Sequence, residues 1–477
     1  MKQFDAVVIG SGPGGYVCAI RLAQLGKKTA IIEREFLGGV CLNVGCIPSK
    51  ALIYASSQYW KIKNDFGEMG LESKSTQMDI AKLQAWKSGV VNKLTSGVGN
   101  LLKMNGAEII RGEARFVGPK SLEVKTKAGT EKISAHDFVI ATGSRVSEIP
   151  FLKTNGKNII TSTEALALAE VPERFVVVGG GFIGLEIGTL YAKLGSRVTI
   201  VEAMDQLLPS TDKELVTVVE KRLKVFGVTV MVQTKVVSLE EKEPLKAKSL
   251  RLTVEGVTGG KKAIEADCIL VSVGRKPNSD GAGLETIGVK LDPRGNVITD
   301  QQGKTNVPSV WAIGDVTGPP QLAHRAMMDG LLVAAGINGE KSYRDYKTVP
   351  WVVFSDPEIA ACGYSEKELV ERGVKYKVGR FPFAASGRAL STSETDGFMK
   401  VLIDEKNEAI LGVHIVGHEA SNLIAEATLA IEMGATAEDI IRTIHSHPTL
   451  PEAFPESIEA ALGKAIHIFK PASRKPV

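Results

Sequence analysis

Two stretches of the chain repeat one pattern of apolar, polar and glycine positions. The first is FDAVVIGSGPGGYVCAIRLAQLGKKTAIIERE, residues 4–35, and the second is FVVVGGGFIGLEIGTLYAKLGSRVTIVEAMD, residues 175–205. In each, an apolar run typical of a buried strand meets a glycine turn, which leads into an apolar helix, a glycine exit and a second strand ending in glutamate. The repetition predicts two βαβ units of the kind that binds dinucleotides.

The rest of the chain shows other patterns. Residues 76–104 have helical periodicity, and residues 106–135 read as short strands with turn residues. A buried strand followed by a turn recurs at 138–150, 268–279 and 310–318. From about residue 346, alternating strands give way to helices. We therefore predict an α/β protein with two Rossmann-like domains, the first of them discontinuous, and a final α+β domain, with bounds of 1–148 with 275–345, 149–274, and 346–477.

Composition narrows the possible classes of function. The chain of 477 residues is too long for one core, and 44% of it is hydrophobic. Its net charge of +4, with both signs interspersed, gives no reason to expect nucleic acid as a partner. No uncharged apolar stretch approaches the roughly 20 residues of a membrane helix. We expect no signal segment at the N-terminus, and we expect the short basic segment 470–477 to be a frayed end.

Cysteine usage points to redox chemistry inside the cell. Five cysteines, an odd number in a large chain, do not indicate a disulfide scaffold. We therefore expect a reducing, cytoplasmic compartment, in which a close pair of cysteines is more often catalytic than structural.

The first glycine turn carries Gly10, Gly12 and Gly15, in the spacing G-x-G-x-x-G between a strand and a helix. Such glycines allow a tight turn and let the backbone approach a pyrophosphate at the helix N-terminus. Glu33 closes the next strand, where a carboxylate can accept hydrogen bonds from both hydroxyls of an adenosine ribose. A tight turn alone explains many such triplets, but the strand, helix and terminal acid together favour binding.

The second turn repeats the spacing with Gly179, Gly181 and Gly184, and Glu202 is its terminal acid. A carboxylate at this place would repel the 2′-phosphate of NADP, and no arginine follows within the next several positions to hold that phosphate. The second unit is therefore predicted to prefer NAD.

Cys41 and Cys46 lie in GGVCLNVGCIPSKAL, residues 38–52, directly after the first unit. Four residues separate them, so they can form a disulfide if the backbone turns appropriately. Two buried apolar cysteines are the alternative. A helix start predicted at Pro48 favours a redox role, because a helix N-terminus stabilises thiolates.

Along its whole length the sequence resembles the flavoprotein disulfide reductase family. The resemblance rests on seven motifs: CLNVGCIPSK (41–50), ATGS (141–144), GGGFIGLE (179–186), SVGRKPN (272–278), AIGD (312–315), LAH (322–324) and HPTLPE (447–452). It implies FAD on the first unit, NAD on the second, and a C-terminal domain that forms a homodimer.

The resemblance also implies roles for single residues. Asp315 would hold the ribityl chain of FAD, and Lys50, ion-paired with Glu186, would lie by the flavin ring. The other implied FAD contacts are Ala114 near the adenine, Thr142, Gly143 and Ser144 in the ATGS motif, and Ala323 and His324 near the pyrimidine edge. Val236 and Gly274 would line the NAD site. Without the family, Lys50 could be a solvated lysine and Asp315 a turn former, whereas Glu186 stands in an apolar helix where an unpaired charge is costly.

The catalytic base is sought among seven histidines. Oxidation of a dithiol needs a group that removes a thiol proton and holds it beside a thiolate. On composition alone His445 and His447 are equal candidates, and either could simply pack in a proline-rich loop. The resemblance selects His447, with Glu452 orienting its imidazole. The other cysteines, Cys18, Cys268 and Cys362, read as core residues, and no Cys/His spacing predicts a metal site.

Within the family, the sequence is most similar to members that oxidise protein-bound dihydrolipoyl groups to lipoyl groups with NAD+. The resemblance implies that Cys41 exchanges with the substrate sulfur and that Cys46 faces the flavin. It also implies partners: the lipoyl-bearing acyltransferase of 2-oxo acid dehydrogenase complexes, or the lipoyl carrier protein of glycine cleavage.

Other readings remain open. Relatives of glutathione reductase would carry arginines near residues 202–210, and relatives of mercuric reductase would carry a C-terminal cysteine pair; this chain has neither. A docking subunit and a flavin-free NAD-binding protein are the alternatives from other classes. Three positions depart from the family pattern: Val40, where threonine is usual, and Pro451 and Pro455 after the base.

Overall fold

A computed structural model describes residues 1–73, 75–241, 250–257 and 259–469. The expectation of a frayed end at 470–477 lies outside the described residues. The chain divides into two compact units, each made of two segments: Met1–Val171 with Cys268–Asp345, and Pro172–Asp267 with Tyr346–Val477. The domain bounds given above remain predictions.

The strands are numbered in chain order. In the first unit they are β1 (Lys2–Ile9), β2 (Thr29–Glu33), β3 (Glu108–Arg111), β4 (Glu113–Gly118), β5 (Ser121–Thr126), β6 (Gly129–Ile140), β7 (Ser144–Val146) and β8 (Ile159–Ile160). The second unit holds β9 (Arg174–Val178), β10 (Arg197–Val201), β11 (Thr229–Met231), β12 (Thr234–Glu241), β13 (Leu250–Gly256) and β14 (Lys261–Ala266). The first unit resumes with β15 (Cys268–Val271), β16 (Arg275–Pro277) and β17 (Val310–Ala312), and the second with β18 (Trp351–Val353), β19 (Glu358–Gly363), β20 (Tyr376–Pro382), β21 (Phe398–Asp404) and β22 (Ile410–Gly417).

The helices are numbered in the same way. Those of the first segments are α1 (Pro13–Gln24), α2 (Gly39–Val44), α3 (Cys46–Trp60), α4 (Ile80–Met104), α5 (Ser162–Ala165), α6 (Phe182–Lys193) and α7 (Lys213–Val225). They are followed by α8 (Ala323–Ile337), α9 (Glu366–Glu371), α10 (Gly387–Ser391), α11 (Ala420–Met433), α12 (Ala437–Arg442) and α13 (Ala453–Ala461). Among the described residues, no helix combines the length and the apolar character needed to cross a bilayer.

The first unit is built on a sheet with the order β3-β2-β1-β6-β5-β4, and β17 pairs with β6. Strands β3, β2, β1, β6 and β17 are parallel, whereas β4, β5 and β6 form an antiparallel meander. Along β1, Val7 and Ile9 belong to one apolar cluster and Ala6 and Val8 to another. Both faces of the sheet are therefore buried, as is usual where helices cover a parallel sheet.

Helices α1 and α8 pack closely in the first unit. A Cβ on Gly14 would lie 2.7 Å from the Ala326 carbonyl oxygen, and one on Gly330 would lie 2.6 Å from the Gly14 carbonyl oxygen. The two glycines therefore allow the helix backbones to approach each other.

The second unit contains the repeated βαβ pattern and the C-terminal segment. Strands β9, β10 and β11 are parallel, and β12, β13 and β14 form an antiparallel sheet. In the C-terminal segment, an antiparallel sheet has the order β18-β19-β22-β21-β20, and its core includes residues of α11 and α13. The predicted α/β class, with two dinucleotide-type units and a final α+β region, is confirmed.

Candidate active site

The first glycine turn lies between β1 and α1. Gly10 has φ +102°, which residues with a side chain rarely adopt, and a Cβ there would lie 2.3 Å from the Ala141 carbonyl oxygen. A Cβ on Gly15 would lie 2.0 Å from the Gly10 carbonyl oxygen. Packing within the chain therefore requires glycine at both positions.

Gly12 has no such internal reason to be glycine. It is the N-cap of α1 with φ −60°, and a Cβ on it would meet no atom within 4 Å. Backbone conformation and packing would both admit a side chain there. The glycine keeps clear the space before the helix N-terminus, where backbone N–H groups and the helix dipole favour a phosphate. This open position fits the predicted pyrophosphate.

The second turn, between β9 and α6, repeats the arrangement. Gly179 has φ +108°, and Gly181 is the N-cap of α6 with φ −70° and no atom within 4 Å of an added Cβ. Gly184 is buried in the first turn of α6. The chain thus keeps two helix N-termini open in the same way, which fits two dinucleotides.

Glu33 and Glu202 hold equivalent places beside these turns. Glu33 accepts hydrogen bonds from the backbone N–H groups of Ser11 and Glu35, both at 2.8 Å. Glu202 accepts them from Gly180 at 2.6 Å and from Met204 at 2.7 Å. Each carboxylate is about 8% exposed. Their shared geometry shows that the sequence repeat is also a structural repeat.

Ser144 and Asp315 come together in the first unit. The Ser144 hydroxyl donates to Asp315 Oδ2 at 2.5 Å, and Arg275 Nε donates to Ser144 Oγ at 2.7 Å. Burial lowers the pKa of Arg275, while Asp315 and Cys46 oppose that shift. Cys46 therefore lies within electrostatic range of the Arg275 guanidinium. Arg275 was missed as a site residue, although it stands in the SVGRKPN motif.

The ATGS turn is fixed by a second motif. Thr142 Oγ1 donates to the Asn278 carbonyl at 2.7 Å, and the Asn278 N–H donates to the Gly143 carbonyl at 2.9 Å. Strands β7 and β16 pair antiparallel immediately beyond these contacts. Two segments separated by more than 120 residues in sequence are thus locked together.

Cys41 and Cys46 lie on consecutive short elements. Cys41 belongs to α2, and Cys46 is the first residue of α3, with Gly45 as N-cap. The helix start predicted at Pro48 was wrong by two residues, because the chain turns at Gly45 rather than at the proline. Cys46 therefore stands directly at a helix N-terminus, where a thiolate is stabilised.

The two cysteine side chains are in contact. The hydrogen bond that the Cys41 thiol donates to Cys46 raises the pKa of Cys41 well above its ordinary value, and burial and the negative charge of Cys46 add to the effect, whereas Lys50 opposes it. Cys41 is half-buried and Cys46 is exposed. Burial raises the pKa of Cys18 far above its usual range and that of Cys362 to about 12.

His447 and Glu452 form a pair in the second unit, with Nδ1 of His447 2.8 Å from Glu452 Oε1. The imidazole is 79% exposed, so Nε2 is open to a substrate. Burial alone would raise the pKa of Glu452, but hydrogen bonds from the Thr449 N–H and from His447 outweigh it and lower that pKa. His445, in contrast, has both ring nitrogens in hydrogen bonds.

The departures from the family pattern fit their local structure. Pro451 precedes α13 and Pro455 lies in its first turn, where a missing N–H leaves no helix hydrogen bond unmade. Glu452, which stands between the two prolines, still contacts His447. Val40 lies on α2 and is 43% exposed.

Glu186 is the predicted site residue with the most informative surroundings. It is buried in α6, 4% exposed, and accepts a hydrogen bond from the Phe354 N–H at 3.0 Å. Its ion pair with Lys50 remains a prediction. The other predicted residues lie in regular elements or turns: Ala114 in β4, Val236 in β12, Gly274 before β16, and Ala323 and His324 at the start of α8.

One cluster was not predicted from the sequence. Three carboxylates, those of Asp212, Glu214 and Glu366, come close enough together to suggest a metal site. The Lys400 ammonium, which is fully buried, contacts all three. Arg380 also pairs with Glu214 and Glu366, so Lys400 and Arg380 together offset two of the three negative charges.

Comparison with known proteins extends this picture. Residues 4–330 match the family described as pyridine nucleotide-disulphide oxidoreductase, and residues 349–458 match its dimerisation domain. Dihydrolipoyl dehydrogenase from Geobacillus stearothermophilus is 48% identical over 466 residues, which cover 98% of each chain. The enzyme of the same name from Bacillus subtilis is 46% identical over 468 residues, again 98% of each chain.

Solved structures agree with the sequence relatives. The copper(II) complex of RclA, an HOCl-induced flavoprotein disulfide reductase from Escherichia coli, superposes with a TM-score of 0.85 at 28% identity, over 96% of this chain and 99% of that one. The matched family uses FAD and NAD(H), and both glycine turns fit such ligands. The chain therefore belongs to the pyridine nucleotide-disulphide oxidoreductase family, as its motifs predicted.

Proposed function

We propose that this chain is a dihydrolipoyl dehydrogenase: it oxidises protein-bound dihydrolipoyl groups to lipoyl groups and reduces NAD+ to NADH, with release of one proton. The observation that carries the proposal is the contact between Cys41 and Cys46 at the start of α3. A disulfide between neighbouring cysteines can accept two electrons from a substrate dithiol by thiol–disulfide exchange. The names of the relatives that share nearly the whole chain support the same substrate.

The cofactor sites follow the two glycine turns. Gly10, Gly12, Gly15 and Glu33 would hold the adenosine pyrophosphate of FAD, and Asp315, fixed by Ser144, would face its ribityl chain. The remaining FAD contacts would be Lys50, Ala114, Thr142, Gly143, Ala323 and His324. Gly179, Gly181, Gly184, Glu186, Glu202, Val236 and Gly274 would form the NAD site. When bound, FAD supplies the two-electron transfer between the sulfur chemistry and the nicotinamide.

The sulfur chemistry is assigned to the chain's own residues. With Cys41 and Cys46 joined as a disulfide, a substrate thiolate attacks Sγ of Cys41, forms a mixed disulfide and releases Cys46 as a thiolate. The second substrate thiolate then displaces Cys41 and closes the lipoyl disulfide. His447 accepts the proton of the attacking thiol at Nε2, and Glu452 orients the ring through Nδ1.

We infer further that His447 of one subunit serves the cysteine pair of a second copy. His447 and Glu452 lie in the part of the chain that matches the dimerisation domain, and His447 is largely exposed. A homodimer is supported by that match, and its partner would be a lipoyl-bearing acyltransferase or carrier protein. The reactive cysteine pair suits the reducing cytoplasm.

Substitution of the cysteines tests the proposal. Cys41→Ser should abolish NADH formation from dihydrolipoamide while the protein retains FAD, and Cys362→Ala should leave turnover close to wild type, since Cys362 is a buried core residue. Wild-type turnover by Cys41→Ser would contradict the assignment of the disulfide exchange.

A further inference from the structure

We propose that His445, through an ion pair with Glu426, is a positioning residue that holds the exposed turn carrying His447. The inference rests on the function proposed above, and it concerns a residue to which the motifs assign no role. It begins from a contrast in burial. Within residues 443–448, all of which are described, every residue except His445 is exposed. The His445 side chain is 9% exposed, against 79% for His447.

Both ring nitrogens of His445 face hydrogen-bond acceptors. Nδ1 lies 2.8 Å from the Thr443 carbonyl oxygen, and Nε2 lies 2.8 Å from Glu426 Oε1. A carbonyl and an ionised carboxylate can only accept, so each nitrogen must carry a proton to make its bond. When Glu426 is ionised, both bonds form together only on a doubly protonated ring, which then pairs with the carboxylate in a charge-assisted hydrogen bond.

Glu426 supplies a fixed point for this bond. It lies in the middle of α11, whose Leu423, Ile424 and Ala427 belong to the core of the second unit. The segment between α12 and α13 is thus attached at two places. His445 ties its beginning to α11, and Glu452 ties its end through His447 and the Thr449 N–H, which donates at 2.7 Å.

The two attachments are also linked electrostatically. The positive charge of His445 is among the influences that lower the pKa of Glu452, after the hydrogen bonds from Thr449 and His447. Glu426 from α11 and Glu452 from the start of α13 are therefore two acidic groups that interact with His445. His445 supports the dyad in two ways, by anchoring its turn and by favouring the charged form of Glu452.

Loss of the anchor should misplace the base without removing it. A displacement of about 1 Å in a catalytic group can cost on the order of 100-fold in rate. His445→Gln retains a polar side chain, but both of its N–H donors lie on one nitrogen, whereas the two contacts of His445 are made by separate ring nitrogens. We expect its kcat for dihydrolipoamide oxidation to fall about tenfold, less than for His447→Gln, with an unchanged KM for NAD+.

The experiment uses the full-length holoenzyme, with histidine rings labelled with ¹⁵N, in four forms: wild type, His445→Gln, Glu426→Gln and a His418→Gln control. In the wild type, the signals that His445→Gln removes should show protons on both ring nitrogens. Glu426→Gln should leave one ring proton, shift the His447 signal and lower kcat, whereas His418→Gln should do none of these.

Two results would overturn the inference: a single ring proton on His445 in the wild type, or a wild-type kcat together with an unmoved His447 signal in both His445→Gln and Glu426→Gln. The outcome is separable from the proposed function. If wild-type protein fails to oxidise dihydrolipoamide, the proposed function is wrong. The NMR signals of His445 and His447 do not depend on turnover, so they still show whether His445 anchors the turn.

Discussion

The reactivity of single cysteines should follow their surroundings. Burial raises the pKa of Cys362 to about 12 and that of Cys18 further still, so both remain thiols far above neutral pH. Cys46 is exposed and stands at the N-terminus of α3. Only a thiolate attacks an alkylating agent at an appreciable rate.

We therefore expect iodoacetamide at pH 8 to modify the Cys41–Cys46 pair of the reduced protein well before Cys18 or Cys362. Peptide mass spectrometry over a time course measures the order. Alkylation of Cys362 as fast as of the pair would show that the buried cysteines are accessible and that the distinction drawn here is wrong.

The His447–Glu452 pair gives a second prediction at this scale. His447→Gln should lower kcat for dihydrolipoamide oxidation about 10²- to 10⁴-fold, which is the usual contribution of a positioned base. Glu452→Gln should cost less, because it still accepts a hydrogen bond at the ring. FAD content should be unaffected in both.

A matched control is His136→Gln, since His136 is an exposed histidine that lies 2.6 Å from Asp137 in the first unit. It should behave as wild type. Comparable losses in His136→Gln and His447→Gln would mean that the assay reports general destabilisation rather than proton transfer.

The sequence identified these residues unequally well. Cys41, Cys46 and His447 stand in short motifs, so the residues next to them in sequence were enough to single them out as site residues. Arg275 and Lys400 each contact a partner more than 130 residues away, and no local pattern reveals such contacts. His445 is held by Glu426, which lies 19 residues earlier on α11.

At the level of elements, the two glycine turns contain glycines of two kinds: those that packing requires and those that leave space for a ligand. Gly15 is required by packing, whereas Gly12 and Gly181 face open space. The sequence predicted the turns because strand, helix and glycine spacing are local features. It misplaced the start of α3, because proline tolerates any place in the first helical turn and does not fix where the helix begins.

Alanine substitutions test this separation. Gly12→Ala should fold with wild-type secondary structure but bind FAD weakly, and Gly181→Ala should keep FAD and raise the KM for NAD+, since each added methyl occupies the space of a pyrophosphate. Gly15→Ala should be strongly destabilised, because its Cβ would lie 2.0 Å from a backbone oxygen. Flavin absorbance, circular dichroism and steady-state kinetics measure the three effects. Full FAD binding by Gly12→Ala would remove the first turn from the FAD site.

At the level of the whole molecule, the proposal distributes one active site over two copies of the chain. The family match of residues 349–458 to a dimerisation domain supports a homodimer, and the cysteine pair and the histidine base lie in different units of the chain.

Complementation between inactive subunits tests this arrangement. Cys41→Ser and His447→Gln homodimers should each be nearly inactive, but refolded mixtures should contain heterodimers with one complete site. One of the two sites in each heterodimer should then be active. Heterodimers as inactive as both parents would place the cysteines and the base of each site within a single chain.

The central claim concerns the substrate and the nucleotide together, and one comparison tests it most directly. Purified protein is assayed for NADH formation from dihydrolipoamide with NAD+, and in parallel for NADPH consumption with glutathione disulfide. We predict rapid turnover of dihydrolipoamide with NAD+ and little or no turnover of the second pair, because Glu202 would repel a 2′-phosphate and no arginine stands within the next several positions to hold one. Preference for glutathione disulfide with NADPH would contradict both the proposed substrate and the proposed nucleotide.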